Sequence, residues 1–391
     1  MAAAGSSQRD TRLHRWCPWR RGEGGWTLSH ATKAKFLESG LFLQDLQARV
    51  ELYLGASGRS PRDLPWMYVK TGVILAWFAA SYAWLVFGAA GPWGALAGCL
   101  SLGLAIAGVG FSVQHDANHG SYSSRRGINQ FLGGTLDAIG GSSYVWGWKH
   151  NIFHHSHTNV VGLDADIDIQ PFCRLAPAQK LRSGHRFQYA YIWLLYGLLT
   201  LKWHFVDDFK DLLNGRVGRQ KMPRPNRRML AGAVGGKLLF YGWALIVPWF
   251  FHPLWQVLLG HVVTSFVLGL TLATVFQMAH CVEEADFSVP PEGGATFPRD
   301  WATHQVLSTV DFARGNPLVS WYLGGLNFQV EHHLFPRVCH LHYPALSRIV
   351  EETCREHGIR YRANESVGAA LKSHVRWLKR MGQPAAIEGA V

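Results

Sequence analysis

Four long apolar runs organise the chain. Residues 68–88 form the first, interrupted only by Lys70 near its start. Gly91-Pro92 makes a tight turn into the second, 93–113, which is rich in the small residues that let membrane helices approach closely. Far downstream, 229–251 and 254–279 form another pair, broken at His252-Pro253. Each run approaches the roughly 20 residues that a helix needs to cross a bilayer core. The pattern predicts an all-α integral membrane protein with four transmembrane helices in two hairpins. Around 36–66, Phe36, Leu37, Leu41, Leu43, Leu46, Val50 and Leu52 suggest an amphipathic helix lying at the surface. The segment 188–206 is apolar and aromatic but carries Lys202 and His204 and leads into Asp207-Asp208. As a fifth span it would separate the histidines before it from those after it, so it is read as an interfacial helix.

Composition changes one part of that picture. The length of 391 residues would allow two or three soluble domains, but 16% charged residues with 17 Trp and 21 Phe argue for a membrane protein instead. A mean hydropathy of +0.01 fits if a minority of the chain spans the bilayer and the rest forms a polar cap. The net charge of +12 sits beside the apolar runs rather than on an aromatic-studded soluble face, so lipid and topology explain it and no nucleic-acid partner is expected. The turns at 89–92 and 252–253 lack Lys and Arg, whereas 210–228 carries Lys210, Arg216, Arg219, Lys221, Arg224, Arg227 and Arg228. The positive-inside rule therefore places both termini and the histidines on the cytoplasmic, or stromal, side. The six cysteines are scattered and form no C-x-x-C pair. Residues 1–35 read as a disordered basic leader, 36–382 as one membrane domain and 383–391 as a tail.

The candidate chemistry lies in histidine. Four of the 20 histidines fall within His150-Asn151-Ile152-Phe153-His154-His155-Ser156-His157. On a helix, His150 and His154 at i,i+4 face the same way, with His155 beside them. His115 and His119 repeat that spacing at the end of the second run, His280 ends the fourth, and Gln329-Val330-Glu331-His332-His333 comes last. Any one set is explicable as packing, hydrogen bonding or charge at a helix C-terminus. Together they meet one side of one helical stalk, which points to metal. Eight histidines exceed the three protein ligands of a catalytic zinc site and suit two metals, for which imidazole admits iron. Asp116, Asp164 and Glu331 are candidate acceptors for the outer nitrogens of those rings. His157 is left outside the ligand set.

These boxes resemble those of the membrane fatty acid desaturase superfamily, H-x(3,4)-H, H-x(2,3)-H-H and [HQ]-x-x-H-H, matched by His115/His119, His150/His154/His155 and Gln329/His332/His333. Glutamine opening the last box, within Gln329-Val330-Glu331-His332-His333-Leu334-Phe335-Pro336, resembles the front-end branch and, within it, cyanobacterial-type acyl-lipid Δ6 desaturases. The likeness runs from Lys33 to Gly382 and includes Trp148-Lys149-His150, Thr158-Asn159 and Cys339-His340-Leu341-His342-Tyr343-Pro344. It implies a cap holding two iron ions on His115, His119, His150, His154, His155, His280, His332 and His333, with Gln329 where many relatives have a ninth histidine. It also implies O2-dependent insertion of a cis double bond, Δ6, into the polyunsaturated acyl chain of a lipid or acyl-CoA. No His-Pro-Gly-Gly haem motif of a fused cytochrome b5 is present, so electrons are expected from a separate carrier, ferredoxin or cytochrome b5. A lipid hydroxylase or ketolase on the same metals, a zinc membrane hydrolase or receptor, and a purely structural protein are the rival readings.

Overall fold

The computed structural model describes residues 35–38 and 40–384; all of the leader but Lys35, and residues 385–391 of the tail, lie outside them. Four helices are long and apolar enough to cross a membrane: Pro65–Gly88, Gly91–His119, Arg227–Trp249 and Leu254–His280. The apolar pattern located all of them. The second continues beyond its last apolar residue because a π-helical turn, Gly110–Gln114, carries it into His115–His119.

In chain order, the elements that frame the site are α1 (Leu41–Ser57), α2 (Pro65–Ala83), α3 (Gly91–Val109), α4 (His115–His119), α5 (Gln188–Lys202), α6 (Arg227–Tyr241), α7 (Leu254–His280), α8 (Trp301–Ser308), α9 (Gln329–Leu334), α10 (Tyr343–Glu356) and α11 (Val367–Met381). Proline in the first turn starts α2 and α3, where its missing N–H costs nothing. Gly91, with φ of +68°, makes the turn between them possible. Asn226 caps α6 by accepting from the Met229 amide at 3.0 Å.

Polar and small residues set the helix contacts. Trp77 and Ser81 of α2 both bond Ser101 of α3, at 3.0 and 2.7 Å, and Gly108 lies against Ile74, so these two helices run antiparallel. Cys99 faces Gly260, and Gly103 lies so close to α7 that a Cβ there would come within 2.8 Å of Val267. These contacts run parallel, placing α7 along α3. Helix α5 crosses the other side of α7, where Thr200 donates to the Ser265 carbonyl at 2.7 Å. A Cβ at Gly269 would stand 2.6 Å from the Tyr196 carbonyl. Such close backbone approach yields dense packing without large apolar side chains.

The N-terminal segment differs from the single surface helix expected over 36–66. Phe36 and Leu37 belong to a short strand, Lys35–Leu37, paired in parallel with Thr296–Asp300. Helix α1 begins only at Leu41 and turns Phe42, Leu43, Leu46 and Val50 inward, while Leu41 and Leu52 are exposed. That inward stripe packs with Val306 of α8, Leu334 of α9 and Leu346 and Val350 of α10. The i, i+3/i+4, i+7/i+8 spacing chose which leucines were buried, and overall apolarity did not.

Candidate metal centre

Four separate stretches bring all the predicted histidines together. Helix α4 supplies His115 and His119, a π-helical segment (Gly147–His154) supplies His150 and His154, α7 ends at His280, and α9 carries His332 and His333. The ring nitrogens of His115, His119, His150 and His332 form one group, all within 4.8 Å of one another. Those of His154, His280 and His333 form a second by the same measure. His155 links the two: its Nε2 lies 3.0 Å from His332 Nε2 and 3.3 Å from His150 Nε2, and its ring stacks on His333 at 4.2 Å. Gln329 Nε2 is 3.0 Å from His280 Nε2.

The spacing of the central box does more than the expected i,i+4 pairing. His150 and His154 are stacked, with ring centroids 5.2 Å apart, and both come near Asp166, yet His150 joins His115, His119 and His332 whereas His154 joins His280 and His333. A π-helix aligns residues five apart, and that sets His150 against His155 while releasing His154 toward the second group. One wide turn thus feeds both halves.

The residues fit metal better than they fit one another. Among the described residues, both ring nitrogens of His115, Nε2 of His119, Nδ1 of His155, Nδ1 of His280 and Nε2 of His333 are buried without a hydrogen-bond partner. Unsatisfied buried polar atoms cost about 1–3 kcal/mol each, so a native protein rarely gathers several unless a ligand satisfies them. Burial, reinforced by the neighbouring imidazoles, pushes His150, His155, His332 and His333 well below the usual histidine range. That direction favours the neutral ring, the form in which imidazole ligates. Burial also opposes charge on His154, but the Asp164 carboxylate outweighs it and holds that pKa above the ordinary value.

A ring of acceptors holds the imidazoles from outside. Asp164 Oδ2 accepts from His154 Nδ1 at 2.9 Å and from the Asn159 amide at 2.9 Å, while Oδ1 accepts from the Asp166 amide at 2.9 Å. Gln305 Oε1 lies 2.8 Å from His333 Nδ1, and the Tyr343 hydroxyl lies 3.4 Å from His332 Nδ1. Trp146 stacks on His150 at 4.5 Å. Below the cluster lies an apolar cavity of about 530 Å³ between the long helices, lined among others by Tyr82, Ile106, Phe240 and Trp243. A small apolar pocket of about 30 Å³ touches Trp146 and Phe276, both of which pack on His150. This pocket and the cavity share Ile139, His204 and Leu268 in their walls.

The family model described as fatty acid desaturase matches residues 91–365, which contain every member of both histidine groups. The chain belongs to the fatty acid desaturase family. It is 38% identical over 355 residues to the sn-1 linoleoyl-lipid 6-desaturase of Arthrospira platensis, covering 90% of this chain and 96% of that one. A second sn-1 linoleoyl-lipid 6-desaturase, from Synechocystis sp., is 38% identical over 356 residues, with 90% and 99% covered. The acyl-lipid (8-3)-desaturase of Physcomitrium patens is 37% identical over 341 residues, with 86% and 71% covered. The protein is accordingly a desaturase, an oxidoreductase, with histidine clusters placed so that they could hold metal.

Within this desaturase the three carboxylates expected to orient ligands part company. Asp164 holds His154 directly. Asp116 lies 3.7 Å from His115 Nδ1 but bonds chiefly to His340, at 2.8 Å. Glu331 touches no ligand histidine; it accepts from Tyr361 at 3.1 Å and pairs with Asp311. Its position next to His332 in the chain turns it to the opposite face of α9. His157 lies outside both groups, against the Phe36 and Phe297 rings. Sequence reasoning missed Gln305, Trp146, Tyr343 and the His340–Lys70 contact. Gln305 lies in a helix without any motif, whereas Lys70 had signalled itself as a charge in an apolar run.

Proposed function

We propose that the two histidine groups hold two iron ions, the first on His115, His119, His150 and His332 and the second on His154, His280 and His333, with His155 between them. Gln329, whose amide lies against His280, completes the second group through water or closes the wall beside it. Bound iron supplies the O2-dependent chemistry that removes two hydrogens from adjacent methylenes, with O2 leaving as water and electrons arriving from an external carrier, ferredoxin or cytochrome b5. The chain's own part is to bind and orient. Asp164, Gln305 and Tyr343 fix the ring directions, and the buried setting excludes water from the oxidising centre.

The observation that carries this reading is the burial of several unpartnered imidazoles in one cluster, beside a small apolar pocket whose Trp146 and Phe276 pack on His150. An acyl chain threaded through that pocket would pass Trp146 and Phe276 beside His150 and leave its methyl end in the larger cavity. Depth in the channel then selects the carbon, since a misplacement of ~1 Å can cost ~100-fold in rate. With the relatives named as lipid 6-desaturases, the substrate is a polyunsaturated acyl-lipid, or acyl-CoA, and the product carries a new cis Δ6 bond. The desaturase unit is 36–382. Its four apolar helices form two membrane hairpins, the 188–206 segment lies at the interface, and both termini and the histidines face the cytoplasm or stroma.

Expression in a host without polyunsaturated lipids, fed 18:2 and supplied with a competent donor, should yield a new Δ6 bond in extracted fatty acids. An unchanged profile from folded, iron-loaded protein would refute the reading. So would zinc without iron in the purified protein together with O2-independent activity, and a hydroxylated product would shift it to the hydroxylase.

A further inference from the structure

Lys70 is the one charge in the first apolar run, and it is 4% exposed. Near the start of α2 a lysine readily stretches to the membrane surface. This one turns inward, and burying an ammonium costs several kcal/mol unless its partners are well placed. Its Nζ lies 2.9 Å from His340 Nε2 and 5.6 Å from the centroid of the Trp321 ring. His340 Nδ1 lies 2.8 Å from Asp116 Oδ2, and Asp116 Oδ1 lies 3.7 Å from His115 Nδ1. The four residues form a buried line from α2 to the first histidine group.

The donor inventory gives that line a direction. An ammonium only donates, so His340 Nε2 must accept. His340 therefore carries its proton on Nδ1 and gives it to Asp116. The remaining Asp116 oxygen is the carboxylate oxygen that faces His115 Nδ1, 3.7 Å away and just beyond hydrogen-bond reach, and that nitrogen has no hydrogen-bond partner among the described residues, so the negative charge there favours a proton on Nδ1. A proton on His115 Nδ1 leaves the Nε2 lone pair for the cluster, where its ring stands 4.5 Å from that of His332 and 4.6 Å from that of His119. Asp116, Cys339 and His340 also lie within 4.8 Å of one another, close enough to suggest a separate metal site. The ammonium on the far nitrogen of His340 would repel such a cation, and Asp116 and His340 already satisfy each other.

We infer that Lys70, acting through His340 and Asp116, is a positioning residue that fixes His115 in the tautomer that ligates through Nε2. The inference rests on the metal reading above. It is tested by Co2+ titration of the metal-stripped, full-length protein in detergent, following ligand-field absorption. Lys70→Met should weaken Co2+ binding about 10- to 100-fold, the range for disturbing an outer-sphere partner of a ligand, and alter the spectrum. Lys70→Arg, which keeps a donor, should restore both. Asp116→Asn should show the same defect, and the Lys70→Met/Asp116→Asn double variant should be no worse than either single change. In turnover, Lys70→Met should lower kcat with little change in KM. An unaltered Co2+ affinity and spectrum in Lys70→Met, or fully additive defects, would overturn the inference. If Lys70→Met does not fold, His340→Gln and Asp116→Asn carry the test with the same expectation, and unchanged binding in both overturns it. A wild-type protein that takes up no Co2+ would instead remove the metal reading itself.

Discussion

Replacing Asp164 with asparagine probes the second histidine group from the outside. The carboxylate is 1% exposed and accepts three hydrogen bonds, from His154 Nδ1 and from the amides of Asn159 and Asp166. Alanine would strand all three donors at about 1–3 kcal/mol each, roughly 3–9 kcal/mol in total, which rivals the whole stability of a typical domain. Asparagine keeps the volume and one oxygen. With that oxygen toward His154, its NH2 opposes the Asp166 amide and one donor is lost. The negative charge that favours the His154 Nδ1–H is lost as well. Metal affinity at the second group should fall about 10- to 100-fold, or about 1.4–2.7 kcal/mol. Co2+ titration of stripped Asp164→Asn protein measures this, with the first group as internal control. Wild-type affinity for both metals in folded Asp164→Asn protein would refute the argument that this hydrogen bond orients the ligand.

Glu331 is pushed well above the usual carboxyl range by burial and by the Asp311 carboxylate, a direction that favours its protonated form. Glu331→Gln should therefore retain fold and activity within about threefold, whereas Glu331→Ala should cost about 1–3 kcal/mol in a denaturation assay. His304 and His374 are each held down at about 4 by burial. Their unfolded pKa lies near 6.5, so the unfolded chain binds more protons between the two values. Stability should be full above pH 6.5 and fall as pH drops toward 4, by about 3 kcal/mol per histidine. A His304→Gln/His374→Gln variant should flatten that loss in thermal melts, and an unchanged pH slope would contradict it. Leu268→Trp in the shared pocket wall should cut fatty-acid conversion more than about tenfold while Co2+ uptake stays at wild type. Overpacking there is expected to cost about 1–3 kcal/mol. Conversion that survives in folded Leu268→Trp protein would mean that the acyl chain takes another path.

The helices and the chemistry were legible for different reasons. The four apolar runs were visible because helices of that length and composition leave an unbroken signal, and the histidines because their density exceeds what packing explains. The division of the histidines into two groups was not visible. It depends on the π-helical turn at Gly147–His154, which no residue pattern announces and which keeps His154 stacked on His150 while bringing it to His280 and His333. Asp164 was within reach as a carboxylate near the box, but Glu331 was a false lead, because adjacency to His332 in the chain puts it on the wrong face. Gln305 and Tyr343 come from distant helices and acquire meaning only when α8 and α10 close over the cluster. In α1 the stripe Phe42, Leu43, Leu46 and Val50 was recoverable, but the docking of Phe36 beside Phe297 depends on a strand partner far along the chain.

The histidines come from stretches that begin at His115 and end at His333, and no two neighbouring stretches complete a group. A metal held by these groups ties together segments that meet only in the finished molecule, so it cannot help a growing chain to fold. Its stabilisation enters by mass action after synthesis, about 2.7 kcal/mol for each site at a free metal concentration of 100 Kd. Metal shortage would then be felt first as a looser cap over α4 and α9, open to proteases. A starved cell would lose molecules of this protein as well as turnover per molecule, and the quantity of protein would itself report the supply of metal.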